Sequence, residues 1–363
     1  MASARAPAGE ARTPLADLVS STGTLALVGL AKNTGKTETL AALLRELAGQ
    51  GTRVGVTSVG RDGEERDVID ERIAKPRVSL AAGDLVASTG GLLRAGDLPH
   101  ERLERTGVRT PLGEVAIARA LAPGWVEVAG PSAAADVAAV SERMRELGAE
   151  KVLIDGAIDR RAASSPEIAE GLVLATGAVL DRTVERVVEL TVRAVELVRL
   201  PVAEDLVGRL DAEQGAEGDE ETGEETVELA RDLVLGADPD RIGRLLREHP
   251  HADTLLVRGV LAEGFLEGLL AARSERAGRE LRVVAWDPTH VFLARRGPSW
   301  YSAQGIHLSV LRGITLRAIT VNPVAPESHR LDSGRLRELL GRAIAGVAVL
   351  DVLHSDYARA SGS

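Results

Sequence analysis

The chain has 363 residues, 44% hydrophobic and 27% charged, with a formal net charge of −10. That length is enough for one large α/β domain or two smaller ones, each with its own core. The absence of cysteine excludes disulfides, thiolate catalysis and cysteine-ligated metal or iron–sulfur centres. No apolar run of about 18 residues predicts a membrane span. The opening MASARAPAGEARTPLADL lacks the apolar core of a secretion signal, so a cytoplasmic location is expected. Nucleic acid is not an expected partner, because a basic surface is missing and the seven aromatic residues are too few for a stacking platform.

Residues 1–22 are rich in Ala, Ser, Gly and Pro and read as a mobile tail. TLALVGL (24–30) is a buried strand by its apolar run, and Gly35 to Gln50 carries leucines at helical spacing. TRVGVTSVG (52–60) is the second strand. Strand, glycine-rich loop, helix, strand is the opening of a doubly wound sheet. The stretch 61–130 is less regular, with GEVAIARAL and GWVEVAG as strands of a sheet extension or hairpin. Ser132 is placed to cap a helix that runs to Leu147. KVLIDGA (151–157) and GLVLATGA (171–178) are further buried strands, followed by an amphipathic helix over 181–200.

Asp211 to Glu228 holds nine acidic residues and no Lys or Arg, and reads as a solvated linker or loop. Beyond it the pattern predicts helices at 238–248, 262–276 and 333–343. Strands are predicted at 253–259, 280–288, 314–323 and 346–353. The expected organisation is a tail (1–22), a P-loop NTPase domain with a mainly parallel doubly wound sheet (23–210), the acidic linker (211–228), a C-terminal α/β region (229–357) and a tail (358–363). Whether the two α/β halves form two domains or one sheet is open at this level.

The chemistry concentrates in VGLAKNTGKTETLAALL, from Val28. A phosphate-binding loop has Gly, four residues, then Gly-Lys-Thr; here five residues separate Gly29 from Gly35-Lys36-Thr37. A strand end, a glycine-rich turn and a helix N-terminus direct backbone N–H groups and the helix dipole at one point. Gly35 allows close backbone approach, Lys36 suits the β/γ-phosphates, and Thr37 offers a hydroxyl to Mg²⁺. Lys32, Asn33, Thr34 and Glu38 complete the candidate nucleotide contacts, with Gly29 at the loop's start. Only four of the 44 basic residues are Lys, and two of them, Lys32 and Lys36, lie in this loop. An ammonium threads among phosphates where a guanidinium does not. The alternative is a capped helix that merely follows a strand.

Further candidates sit at strand ends, where ligands bind in such sheets. Asp62 and Glu64, after the second strand, are candidates to orient an attacking water, with Arg61 as a phosphate contact; a charged surface turn is the plain alternative. Asp155, ending the apolar KVLID, has the form of a Walker B carboxylate that holds Mg²⁺. Asp159 and Arg160 follow it. Thr176 and Gly177 end another strand. Gly130-Pro131-Ser132 is an anion site or a simple cap, and Asn322 in TVNPVAP reads a base or closes an Asn-Pro turn. His249, His251, His290 and His307 have no metal-ligand spacing.

VGLAKNTGKT, TSVGRDGE, KPRV, VEVAGPS, LIDGAIDRR and LATGA occur in this order across 28–178. Together they resemble the P-loop subunit of the lysine 5,6-aminomutase reactivase (the KamB family), whose loop has the same long spacing. The resemblance implies an ATPase that uses ATP and Mg²⁺ to restore an adenosylcobalamin-dependent aminomutase by driving out damaged cobalamin. It also implies a MutS-like second subunit as partner. The rival class is a stand-alone enzyme or adaptor of cofactor synthesis, similar to dethiobiotin synthetase or the molybdopterin-guanine dinucleotide adaptor.

Overall fold

A computed structural model of the chain describes residues 14–59, 77–157, 165–207, 225–229, 234–235, 238–272, 280–326 and 329–353. In chain order the first half runs α1 (Leu15–Leu18), β1 (Thr24–Gly29), α2 (Lys36–Gly49), β2 (Val54–Ser58), β3 (Val78–Leu80), β4 (Leu85–Thr89) and α3 (Gly90–Ala95). It continues with β5 (His100–Thr110), β6 (Gly113–Ala120), β7 (Gly124–Val126), α4 (Ala134–Glu146), β8 (Lys151–Ala157), β9 (Gly171–Gly177) and α5 (Val184–Val198). The second half has β10 (Glu225–Leu229), α6 (Pro239–Glu248), β11 (Ala252–Val257), β12 (Leu261–Ala262), α7 (Glu263–Ala272), β13 (Leu281–Ala285) and β14 (Val291–Phe292). It closes with α8 (Pro298–Ala303), β15 (Ile306–Val310), β16 (Thr315–Asn322), α9 (Ser333–Ala343) and β17 (Ala348–Leu350).

The protein is a mixed α/β structure built on a nine-stranded sheet, ordered β17-β16-β9-β1-β8-β2-β4-β6-β5. Pairings from β17 to β4 are parallel, and only β4–β6 and β6–β5 are antiparallel. β1 is buried along its whole length because it lies between β8 and β9 with helices on both faces. That burial is why it reads as an unbroken apolar run. Ala26 and Val28 pack on one side with α4, α5 and α9. Leu25 and Leu27 pack on the other with α1 and α2. The chain moves from β1 to β2 and β4 on one side, then from β8 across to β9 on the other. Strand order therefore reverses at β1, the position where open parallel sheets bind ligands.

A second, wholly parallel sheet, β10-β11-β13-β15, has its own core around Phe265, Val283 and Tyr301. It is inserted in sequence between α5 and β16. The stretch expected as a C-terminal region thus divides: β10 to β15 build the second sheet, and β16 and β17 return to the first. The end of the acidic run is also more ordered than composition suggests, since Glu225–Leu229 forms β10, with Val227 and Leu229 in the second core.

Three more expectations need correction. Residues 14–22 are not a tail: Leu15, Ala16 and Val19 are buried, and the Ala16 N–H donates to Glu46 at 2.7 Å. The Lys151 ammonium donates to the carbonyls of Val19, Ser20 and Thr22 at 2.7–2.8 Å. Burial pushes its pKa below the ordinary lysine value. Ser132 does not cap α4; the N-cap is Ala133, with no side-chain bond, and Ser132 is exposed. GWVEVAG does not extend the large sheet: its β7 pairs with β3, while β6 pairs with β5.

Candidate functional site

β1 ends at Gly29, and the next six residues turn the chain into α2. A side chain at Gly29 would meet the Thr34 hydroxyl oxygen at 2.4 Å, so the loop folds back on its own start. The Thr34 hydroxyl is buried and donates to the Ala31 carbonyl at 3.0 Å. Thr34 therefore lends the site only its backbone. Asn33 has φ +66°, the one positive φ of a non-glycine residue among the described residues, and Gly35 follows at φ +88°. These two left-handed residues absorb the additional loop position, with Asn among the residues that tolerate that conformation.

Gly35 is the N-cap of α2 and provides no side-chain cap. The first N–H groups of α2 have no acceptor within the helix. Lys36 and Thr37 are half-buried there, while Glu38, Lys32 and Asn33 are exposed. The Lys36 ammonium lies 2.8 Å from a carboxylate oxygen of Asp155. This is an ion pair and not a directed hydrogen bond, since that oxygen is buried and has no partner of hydrogen-bond geometry. Register explains the meeting: Asp155 stands beside Leu27 of β1 and Ser58 of β2, so the ends of three strands converge.

The rim is completed by neighbouring elements. The Ser58 hydroxyl accepts from the Gly130 N–H at 2.9 Å, so VEVAGPS crosses the end of β2. Asn322, ending β16, donates its side-chain amide to the Asn33 carbonyl at 3.1 Å and accepts from the Val324 N–H at 3.0 Å. Thr39 of α2 and Thr320 of β16 share a buried hydrogen bond of 2.7 Å. Thr176 belongs elsewhere: its hydroxyl is paired with Thr191 of α5 at 2.7 Å, inside the core.

Gly29, Gly35, Lys36, Thr37 and Asp155 are thus brought to one edge. Asp62, Glu64, Arg61, Asp159 and Arg160 lie outside the described residues. The histidines are dispersed: His290 pairs with Asp287 at 3.0 Å and His307 with Glu280 at 3.3 Å. Among the described residues no group of three or more His, Asp or Glu side chains is arranged to hold a metal. No helix among them is long and apolar enough to cross a membrane. Sequence reasoning missed Ser58 and Thr320. Both are hydroxyl residues at or near the ends of otherwise apolar strands, a signal that was present.

The donor set fits a polyphosphate with a divalent cation. An uncapped helix N-terminus and an ammonium suit anionic oxygens. A carboxylate oxygen without a hydrogen-bond donor, beside the start of α2, suits a hard cation and its waters. The chain matches no protein-family model and no curated protein sequence.

Proposed function

We propose that this chain is a P-loop nucleoside triphosphatase. It serves as the ATP-driven subunit of a reactivating factor for an adenosylcobalamin-dependent lysine 5,6-aminomutase. The observation that carries the nucleotide reading is the Lys36–Asp155 pair, 2.8 Å apart, at the mouth of the uncapped helix α2. The reactivase reading rests on the ordered motifs between Val28 and Ala178 and their resemblance to that family.

The loop N–H groups and Lys36 hold the phosphate oxygens, and the Gly35 turn lets the backbone come close. Asp155 and Thr37 supply the oxygen ligands on the metal side. Bound Mg²⁺ neutralises charge on the β- and γ-phosphate oxygens. Asp62 and Glu64 are the carboxylates offered to orient the attacking water. Nucleotide turnover then switches the affinity for the mutase, because only a difference in affinity between two states can expel a bound ligand. A MutS-like second subunit is the expected partner.

The test is recovery of an aminomutase inactivated by turnover. Recovery should require this chain, its partner subunit and ATP together, and Lys36→Ala should abolish both nucleotide binding and recovery. Recovery without ATP or without this chain refutes the reactivase reading. Undiminished ATP binding by Lys36→Ala refutes the site.

A further inference from the structure

The loop between Gly29 and Gly35 is one residue longer than the usual spacing, and its middle bears a non-glycine residue in the left-handed region. Such a turn does not hold itself: an L-residue at positive φ is disfavoured, and a longer loop has more conformations open to it. Inside the loop the Thr34 hydroxyl bonds the Ala31 carbonyl. Its middle is also held from far along the chain. The Asn322 amide holds the Asn33 carbonyl, across 289 residues of sequence. Asn322 is itself fixed twice. Its side-chain oxygen accepts from Val324, and its carbonyl accepts from the Ala178 N–H at 2.8 Å. The fit is close on the helix side as well: a side chain at Gly35 would stand 2.9 Å from the Asn322 Cβ.

We propose that Asn322 is a positioning residue for phosphate binding: it clamps the long loop in its left-handed turn and does not read the nucleobase. One of its two amide protons is directed at the Asn33 carbonyl, and its side-chain oxygen is taken by the Val324 N–H, so the side chain is oriented toward the loop and its own turn. Because β16 follows the inserted second sheet in sequence, the clamp also makes the geometry of the phosphate site depend on how the chain returns from that sheet. The proposal rests on the nucleotide reading given above.

Asn322→Ser tests it. Serine keeps an acceptor for the Val324 N–H but is too short to reach Asn33. Binding of ATP, GTP and inorganic tripolyphosphate is measured by calorimetry. Loss of one positioning hydrogen bond should weaken all three by the same factor, about tenfold. Unchanged tripolyphosphate affinity with an altered ATP-to-GTP ratio means that Asn322 reads the base and overturns the proposal. The second readout is coupling. In an Asn33→Gly background, where the left-handed turn no longer needs a clamp, Asn322→Ser should cost much less; full additivity overturns the proposal. If Asn322→Ser fails to fold, Asn322→Asp keeps the shape and the turn acceptor but removes the donor. It is read at high ionic strength, where the added charge is screened. Lys36→Ala is the control: if it binds tripolyphosphate as the native chain does, the phosphate site itself has failed, whatever Asn322 does.

Discussion

The two large sheets end in edges of opposite character. At the edge of the nine-stranded sheet, groups are left incomplete: α2 starts on Gly35 with no side-chain cap, and the Asp155 oxygen facing Lys36 has no hydrogen bond. At the edge of the four-stranded sheet, the matching carboxylate is closed. Asp287, just past β13 and fully buried, accepts from the Thr289 N–H at 2.7 Å, the Thr289 hydroxyl at 2.5 Å, His290 at 3.0 Å and Ser165 at 3.1 Å. The helix there, α6, is capped by Asp238, which accepts from the Asp240 N–H. Two edges with the same strand geometry therefore divide the work. One leaves polar groups unpaired, as the proposed nucleotide site requires, and the other uses them to hold the chain together, including the link through Ser165 to the first sheet's β8–β9 connection.

The strongest way to break this comparison is to remove the same charge from both edges. Asp287→Asn turns an amide toward donors that need an acceptor, at a fully buried position. It should destabilise the fold by about 2–3 kcal/mol, read as a lower urea midpoint. Asp155→Asn should leave the midpoint within about 0.5–1 kcal/mol, because the Lys36 pair is partly exposed and such pairs contribute little. Its cost should fall on nucleotide turnover, with kcat down about 100-fold or more. If Asp155→Asn unfolds the protein while Asp287→Asn spares it, the division between the edges is wrong.

The next effect is smaller and confined to the open edge. Gly29→Ala places a methyl group 2.4 Å from the Thr34 hydroxyl and 3.2 Å from the Ala31 carbonyl. The Thr34–Ala31 bond must break, and the loop must shift. ATP affinity should fall about tenfold, with loss of one buried hydrogen bond's worth of stability, about 1 kcal/mol. Equal affinity in the variant would mean that the start of the loop has no part in binding.

The elements that were legible in the sequence and those that were not separate along the same line. β1, β2, β8 and β9 are buried on both faces, so their side chains had to be apolar and their ends had to be abrupt. Gly35-Lys36 could be placed because it follows such an end, and Asp155 because it closes the apolar run of β8. β5 could not be read, since it is an edge strand of charged residues with irregular register. β10 begins inside the acidic run, where Val227 and Leu229 face a core. The Asn322 clamp and the Ser165–Asp287 link are tertiary contacts across 289 and 122 residues, for which no local pattern exists. The region called C-terminal was divided by strand pairing alone: β16 carries the same apolar run whether it joins one sheet or the other.

The smallest expected effect probes the closed edge through pH. The hydrogen bond to Asp287 raises the His290 pKa above its ordinary 6.5. Burial would raise the Asp287 carboxyl, but its bonds to His290 and Thr289 outweigh this and hold it below 3.8. For the histidine, the stabilising charge is fully present below pH 6.5 and is lost as pH rises through the raised value. For the aspartate, it is present above pH 3.8 and is lost as pH falls through the lowered value. The pair therefore works best between these limits. His290→Gln, which keeps a donor but never a charge, should lower the melting temperature by about 1–2 °C in that window. The gap should close on the alkaline side. A difference that stays constant to pH 9 would show that His290 contributes only a neutral hydrogen bond, and that the edge is closed by shape and donors without help from charge.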